Sequence, residues 1–379
     1  MDAASAERLL PWFVLRSVPG VGNLLCRRLV DRFGDAEAVL AAPPEELAAV
    51  EGVPDRVAKA IPGQLPTDAV RRELDRLAAS PYQVLTLADP AYPAGLREIP
   101  DPPPFLYVHG RLAPADRAVA LVGTRHPSDY GRRTARTLAG ALARHSITVV
   151  SGMARGIDTA AHHGALDAGG RTVAVLGSGF DRLYPPENRP LFDRIAESGA
   201  SVSEFALQAG PEAHHFPVRN RIISGLTLGT VVVEAAARSG ALITARLAGE
   251  QGREVFAVPG PIHTGRSGGA HRLIKQGARL VEGVEDILEE LAAHLGAAAP
   301  ADTEAGSASA APTDPPPDLA PDAARLFSRL GKTPIHIDEL VRELALDPAR
   351  LSGLLLDLEL RGLVAHLPGK RFARSGNGG

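Results

Sequence analysis

The sequence predicts an α/β protein built around an open, mostly parallel sheet, with a small helical region before it and a three-helix unit with a β-hairpin after it. Three observations carry this reading. From about Ala118, short β-branched runs alternate with Gly-rich turns and amphipathic helical stretches. The first 80 residues show helical periodicity alone, and residues 296–318 contain Ala, Pro, Ser and acids but almost no bulky apolar side chain. The expected divisions are therefore a helical domain at 1–80, a core at 81–295, a disordered linker at 296–318 and a final domain at 319–379.

In the first region Leu9, Phe13 and Leu15–Val18 precede a Pro-Gly break, and Leu24–Phe33 and Leu47–Ile61 follow with helical spacing. The core strands are expected at Ala118–Val122, Ile147–Val150, Thr172–Leu176, Val202–Glu204, Thr230–Glu234, Glu254–Val258 and Arg279–Val281. Parallel sheets of this kind bind ligands beyond the carboxyl ends of their strands. After the linker, Ala320–Leu330, Ile337–Leu344 and Pro348–Arg361 read as helices. Leu363–Leu367 can pair with Arg371–Ala373 across Pro368-Gly369, which gives a winged helix.

Composition limits the function. The chain has 379 residues, 45% hydrophobic and 22% charged, enough apolar material for real cores. Lys+Arg number 41 against 44 Asp+Glu, a net charge of −3, so a polyanion must be met by a local patch rather than by bulk charge. Only Lys59, Lys275, Lys332 and Lys370 are lysines, so such a patch relies on arginine. The single cysteine, Cys26, excludes an intrachain disulfide and a thiolate metal cage, which fits a reducing cytoplasm. Asp2, Glu7 and Arg8 precede any apolar run, and no stretch reaches the ~18–20 apolar residues that span a bilayer, so neither signal peptide nor membrane anchor is expected.

Several segments carry chemistry. Val18-Pro-Gly-Val-Gly22, followed by Arg27 and Arg28, and its weaker copy Glu51-Gly-Val-Pro54, followed by Arg56 and Lys59, resemble a helix-hairpin-helix pair; the alternative is a tight turn between packed helices. Three loops at expected strand ends, Gly123-Thr124-Arg125, Ser151-Gly152-Met-Ala-Arg155-Gly156 and Gly177-Ser178-Gly179, together signal phosphate binding. Glycine lets the backbone approach an anion, hydroxyls and N–H groups donate, and arginine adds a charged fork.

A dinucleotide site would need G-x-G-x-x-G after the first strand and an acid ending the second; GTR and Ser151 stand there instead, so NAD is disfavoured and no cofactor is expected. Gly265-Arg-Ser267-Gly-Gly269 lacks the immediate strand-to-helix turn of a nucleophile elbow. The pairs His162-His163 and His214-His215 lack zinc-helix spacing, so no metal site is expected. Arg219, Asn220 and Arg221 are expected at the start of a helix, where side-chain donors join free N–H groups. Phe216 before them is either a stacking platform for a base or a hydrophobic staple. Glu234 is expected to face Ser239 and Thr244 and cap the following helix.

Taken together, Val122-Gly-Thr-Arg125, Ser151 through Asp158, Val175-Leu-Gly-Ser-Gly179, Tyr184-Pro-Pro-Glu-Asn188, Phe216-Pro-Val-Arg-Asn-Arg-Ile-Ile223 and Glu234 through Gly260 resemble the DNA-processing protein A (DprA, or Smf) family. Tyr92-Pro93 and Pro103 through Val108 are similar to its lead-in segment, and His271 stands where the family more often has Asn. The resemblance implies an extended Rossmann-like core, a SAM-like helix-hairpin-helix domain and a winged helix. It also implies a cytoplasmic bacterial homodimer that binds single-stranded DNA, protects it during natural transformation and hands it to the recombinase RecA, without catalysis. By the same resemblance Arg125, Arg155, Asn188, Phe216, Arg219 and Arg221 hold the DNA.

Two other classes compete. A nucleotide-acting phosphoribohydrolase would carry P-G-G-x-G-T-x-x-E, but ARSGALITARLA, starting at Ala237, lacks the second acid. An interaction scaffold concerns the winged helix, where Asp357 and Glu359 offset Arg350 and Arg361, and only Lys370, Arg371 and Arg374 cluster.

Overall fold

A computed structural model describes residues 3–113, 117–295, 319–330, 335–344, 346–361, 363–367 and 371–374. The expected linker at 296–318, the turn at Pro368-Gly369 and Lys370 lie outside the described residues. The chain divides into two compact units, Met1–Ala297 and Ala298–Gly379.

The first unit opens with helices α1 (Ala3–Ser17), α2 (Asn23–Phe33), α3 (Ala36–Ala41), α4 (Pro44–Ala48), α5 (Asp55–Ala60) and α6 (Asp68–Ala78). The helix expected at 47–61 is two helices, because Gly52 takes φ +82° between them. The hairpins brace one another: a Cβ on Gly20 would press on Val57 of α5, and Arg28 of α2 donates to Glu51 O at 2.8 Å. Arg27 is also engaged, donating to Ile99 O at 2.7 Å.

Strands β1 (Gln83–Thr86), β2 (Phe105–Gly110), β3 (Ala118–Val122), β4 (Thr148–Ser151), β5 (Thr172–Val175), β6 (Ala200–Ser203), β7 (Gly229–Val232), β8 (Glu254–Ala257) and β9 (Arg279–Leu280) form one sheet in the order β1-β2-β6-β5-β4-β3-β7-β8-β9. All seven expected strands are present within a residue or two, and β3 through β9 pair in parallel. The antiparallel pair β1 and β2, which extends the sheet beyond β6, was not expected. Its first member is a four-residue strand, too short to show periodicity.

Helices α7 (Ala94–Glu98), α8 (Asp129–Arg144), α9 (Ile157–Asp167), α10 (Arg189–Ser198), α11 (His215–Gly225), α12 (Ala241–Glu250), α13 (Gly268–Lys275) and α14 (Val284–Leu295) complete the unit. The central strands are buried on both faces, as their unbroken apolar runs require. In β3, Ala118, Ala120 and Val122 enter one core cluster and Val119 and Leu121 the other. The first cluster also takes in Leu9, Trp12 and Phe13, and Phe13 stacks on Phe105 of β2 at 4.5 Å. The helical region therefore shares a core cluster with the sheet.

The second unit contains α15 (Pro321–Arg329), β10 (Ile335–His336), α16 (Ile337–Leu344), α17 (Pro348–Leu360), β11 (Val364–Leu367) and β12 (Arg371–Arg374). Its strands pair in the order β10-β12-β11 around Leu326, Leu340, Leu351, Leu355, Leu358 and Phe372. This is the expected winged helix, with β10 as an added strand.

Candidate functional site

Strand β3 pairs with β4 on one side and β7 on the other, so the strand order reverses there. Doubly wound sheets open a crevice at such a point, beyond the carboxyl strand ends. A cavity of about 660 Å³ occupies that place. Its lining includes Gly123, Thr124 and Arg125 after β3, Ala154 and Asp158 after β4, Phe216, Arg219 and Asn220 of α11, and Arg238, Ser239 and Thr244 after β7. The first turns of α11 and α12 both border it and turn the positive ends of their dipoles toward it.

The loop after β3 is held from two sides. Thr124 N–H donates to Glu234 O at 2.8 Å, and Thr124 O accepts from Ile157 N–H at 3.2 Å. Arg125 is exposed and makes no ion pair with any described residue; its guanidinium lies 5.0 Å over the Phe216 ring. Phe216 is wedged between Arg125, Arg219, Tyr184 and the bare α-carbon of Gly177. It lies within α11 rather than before it, so it is no staple, and its face positions Arg125. Arg238, also exposed and unpaired among the described residues, is the third lining cation.

Asp158 is the one acid in the lining. Burial pushes its carboxyl up to about 6, against the opposing pull of Arg219 and the Ala154 N–H. Arg219 is buried, donating through Nη1 to Gly152 O at 2.6 Å and to Val175 O, while its Nε has no partner among the described residues. Burial lowers it to about 10, so it stays charged. Asn220 brings a carboxamide with no hydrogen bond to a described residue.

Of the expected site residues, Gly123, Thr124, Arg125, Phe216, Arg219 and Asn220 reach the cavity and eight do not. Ser151 is buried and donates to Leu121 O at 2.6 Å. Gly152 packs against Arg219 and Asp158. Gly177 makes room for Phe216, and Ser178 is buried with its carbonyl accepting from Ser203 Oγ. Gly179 faces the backbone of Ala206 and Leu207, not a ligand. Asn188 donates to Met153 O at 2.8 Å and Thr159 Oγ1 at 3.0 Å. Arg155 sits beside the cavity, ion-paired with Glu187 and 5.6 Å over Tyr184.

Arg221 is the largest departure. The helix begins at His215, four residues before Arg219, so Arg219 and Arg221 are interior and point to opposite faces. Arg221 is buried in a bidentate pair with Glu204 (2.6 and 2.7 Å) and reaches Asp101 at 2.8 Å. Glu234 likewise differs from expectation: its carboxylate accepts from Ser128 N–H at 3.0 Å and from Ser128 Oγ, capping α8 rather than α12. His162 is buried with Nδ1 2.7 Å from Thr172 Oγ1, and His215 stacks on Phe205.

Arg238, Tyr184 and Asp158 line the cleft without having been expected as site residues. All three sit in quoted motifs, but only the β3–β7 pairing brings the loop after β7 to the rim.

Fold and site together define a doubly wound α/β protein with an arginine-flanked anion cleft at its switch point. Residues 83–292 match the family model described as DNA recombination-mediator protein A, residues 310–370 match the DprA winged helix domain, and 12–73 match a helix-hairpin-helix motif. Protein Smf of Synechocystis is 37% identical over 96% of this chain and 98% of its own. The solved DNA processing protein A of Streptococcus pneumoniae superposes with a TM-score of 0.64 at 34% identity, covering 76% of this chain and 99% of that one. The Helicobacter pylori protein, solved for its single-stranded DNA binding mode, gives a TM-score of 0.51 at 29% identity over 56% of this chain and 96% of that one. The chain belongs to the DNA recombination-mediator protein A (DprA/Smf) family.

Proposed function

We propose that the cleft binds the phosphate backbone of single-stranded DNA, with little sequence preference. The protein then acts as a non-catalytic cytoplasmic mediator, a homodimer through its core, that protects incoming strands in natural transformation and delivers them to RecA. The observation that carries this is the pair of unpaired guanidinium groups, Arg125 and Arg238, flanking a cleft with a single acid. Arginine forks suit phosphate oxygens, and their charge is not already neutralised by neighbours. The single-stranded DNA studied with the H. pylori relative supports the choice of ligand.

The non-catalytic reading is supported by how the candidate reactive groups are used. Glu234 is spent on the cap of α8, and Ser267 is buried where a Cβ on Gly260 would overlap its Oγ. For the winged helix, protein contact is the favoured role, because Arg350 pairs with Asp322 and Arg361 with Asp357.

The test is Arg125→Ala with Arg238→Ala, measured by fluorescence anisotropy on oligo(dT) over a salt series. Losing two phosphate contacts should weaken binding and flatten the log–log salt slope by roughly 1.4. Wild-type affinity and slope in the double variant would sink the cleft. Arg219 is unsuitable for this purpose, since its loss unseats the Gly152 and Val175 carbonyls.

A further inference from the structure

The cleft leaves the loop after β8 unexplained. Pro259–Ser267 is pinned at three points. Tyr130 Oη donates to Pro259 O at 3.1 Å, Arg266 Nη1 donates to His126 O at 3.1 Å, and His271 Nε2 lies 2.9 Å from Gly260 O. His271, where the family more often has Asn, thus serves as a loop anchor.

A loop held this firmly nonetheless presents apolar surface to water. Ile262 is 76% exposed and Tyr130 43%. The hydroxyl bond fixes the edge of the Tyr130 ring and leaves ring surface open. Arg133 and Arg266 are exposed in the same segments, and Arg133 has no ion pair among the described residues. Arg132 reaches Asp129 only at 3.9 Å. The segment is tied to the loop that lines the cleft, because His126, whose carbonyl accepts from Arg266, directly follows Arg125.

We propose that this shelf is the second section of a strand track. Nucleotides leaving the cleft past Arg125 stack a base on Tyr130, with Ile262 alongside, and set their phosphates against Arg133 and Arg266. Aromatic faces interleaved with cations are how sequence-independent single-strand sites are built, and a ring already held at its edge loses little freedom on stacking. The occupant is the same strand, since the shelf is basic and is tied through Arg266 to the loop that carries Arg125. The inference rests on the cleft reading and extends it.

Two oligonucleotides separate the sections: one of four thymidines, short enough for the cleft alone, and one of twelve. Tyr130→Ala should bind the longer oligonucleotide about 5-fold or more weakly, the low end of one base–aromatic stack, and bind the shorter one unchanged. Tyr130→Phe, which keeps the ring, should retain wild-type affinity for both and guards against misfolding. Equal weakening on both lengths, or none on the longer, overturns the track. So does a change in sedimentation in Tyr130→Ala and Ile262→Ser with affinity per protomer intact, because the shelf would then be a contact between copies. Failure of the cleft is seen separately: Arg125→Ala with Arg238→Ala would leave even the short oligonucleotide bound as before.

Discussion

Replacing Arg221 with alanine should cost stability while sparing strand binding, the reverse of what its place in the Arg219-Asn220-Arg221 run suggests. The side chain is 5% exposed and its partner Glu204 9% exposed. Arg221 donates twice to that carboxylate, at 2.6 and 2.7 Å, and through Nε to Asp101 O at 3.1 Å and Asp101 Oδ2 at 2.8 Å. Without Arg221, Glu204 keeps only the Asn23 amide, at 3.2 Å, among described partners. Leaving one member of a buried pair uncompensated costs ~3–5 kcal/mol. Asp101 is 48% exposed, so solvent screens it and it adds little.

Set against a total stability of ~5–15 kcal/mol, this is a large loss. It should move the urea midpoint of Arg221→Ala down by roughly 1–2 M at an m-value of about 2–3 kcal/mol/M. Oligo(dT) affinity of the folded variant should match wild type within about 2-fold, because Arg221 lies on the far face of α11 from the cleft. Arg221→Met with Glu204→Leu should recover much of the lost stability, since well-packed apolar residues replace buried ion pairs at little or no cost. A midpoint within 0.3 M of wild type, or a 10-fold loss of affinity in a stable variant, would refute this account.

Two further outcomes are expected. His162 is buried with its pKa lowered to about 3, chiefly by burial. The unfolded chain therefore takes up a proton there near pH 6.5 that the folded protein refuses, so stability is lost as pH falls from about 6.5 toward 3. His162→Asn, which keeps a donor toward Thr172 Oγ1, should show a shallower acid limb in pH-dependent urea unfolding; an unchanged limb would show that the imidazole titrates freely. A Cβ on Gly179 would overlap the carbonyls of Ala206 and Leu207, and the Gly179 N–H is itself tied to Ala209 O at 2.9 Å. Gly179→Ala should lose about 2–3 kcal/mol in thermal denaturation, and an unmoved Tm would mean that the loop can yield.

The amino-acid sequence by itself determined the architecture. Unbroken β-branched runs such as Ala118–Val122 can be buried on both faces only in a parallel sheet covered by helices, and the two core clusters divide that strand's alternate side chains as period two demands. It also placed the loop Gly123-Thr124-Arg125 at the rim and the winged helix in the last part of the chain. The tertiary structure alone decided which polar residues face a ligand. Ser151 and Asn188 have the chemistry of phosphate ligands, but burial turns their hydrogen bonds to carbonyls and a hydroxyl of the protein, and the Ser178 hydroxyl is buried away from the cleft. Arg219 and Arg221, two residues apart, lie about 200° apart around the helix, one beneath the cleft and the other on Glu204. Arg238 joins Arg125 because Val122 pairs with Val232 across the sheet. Periodicity is a local property that the chain displays along its length, whereas burial and the company of another charge arise only when distant strands meet.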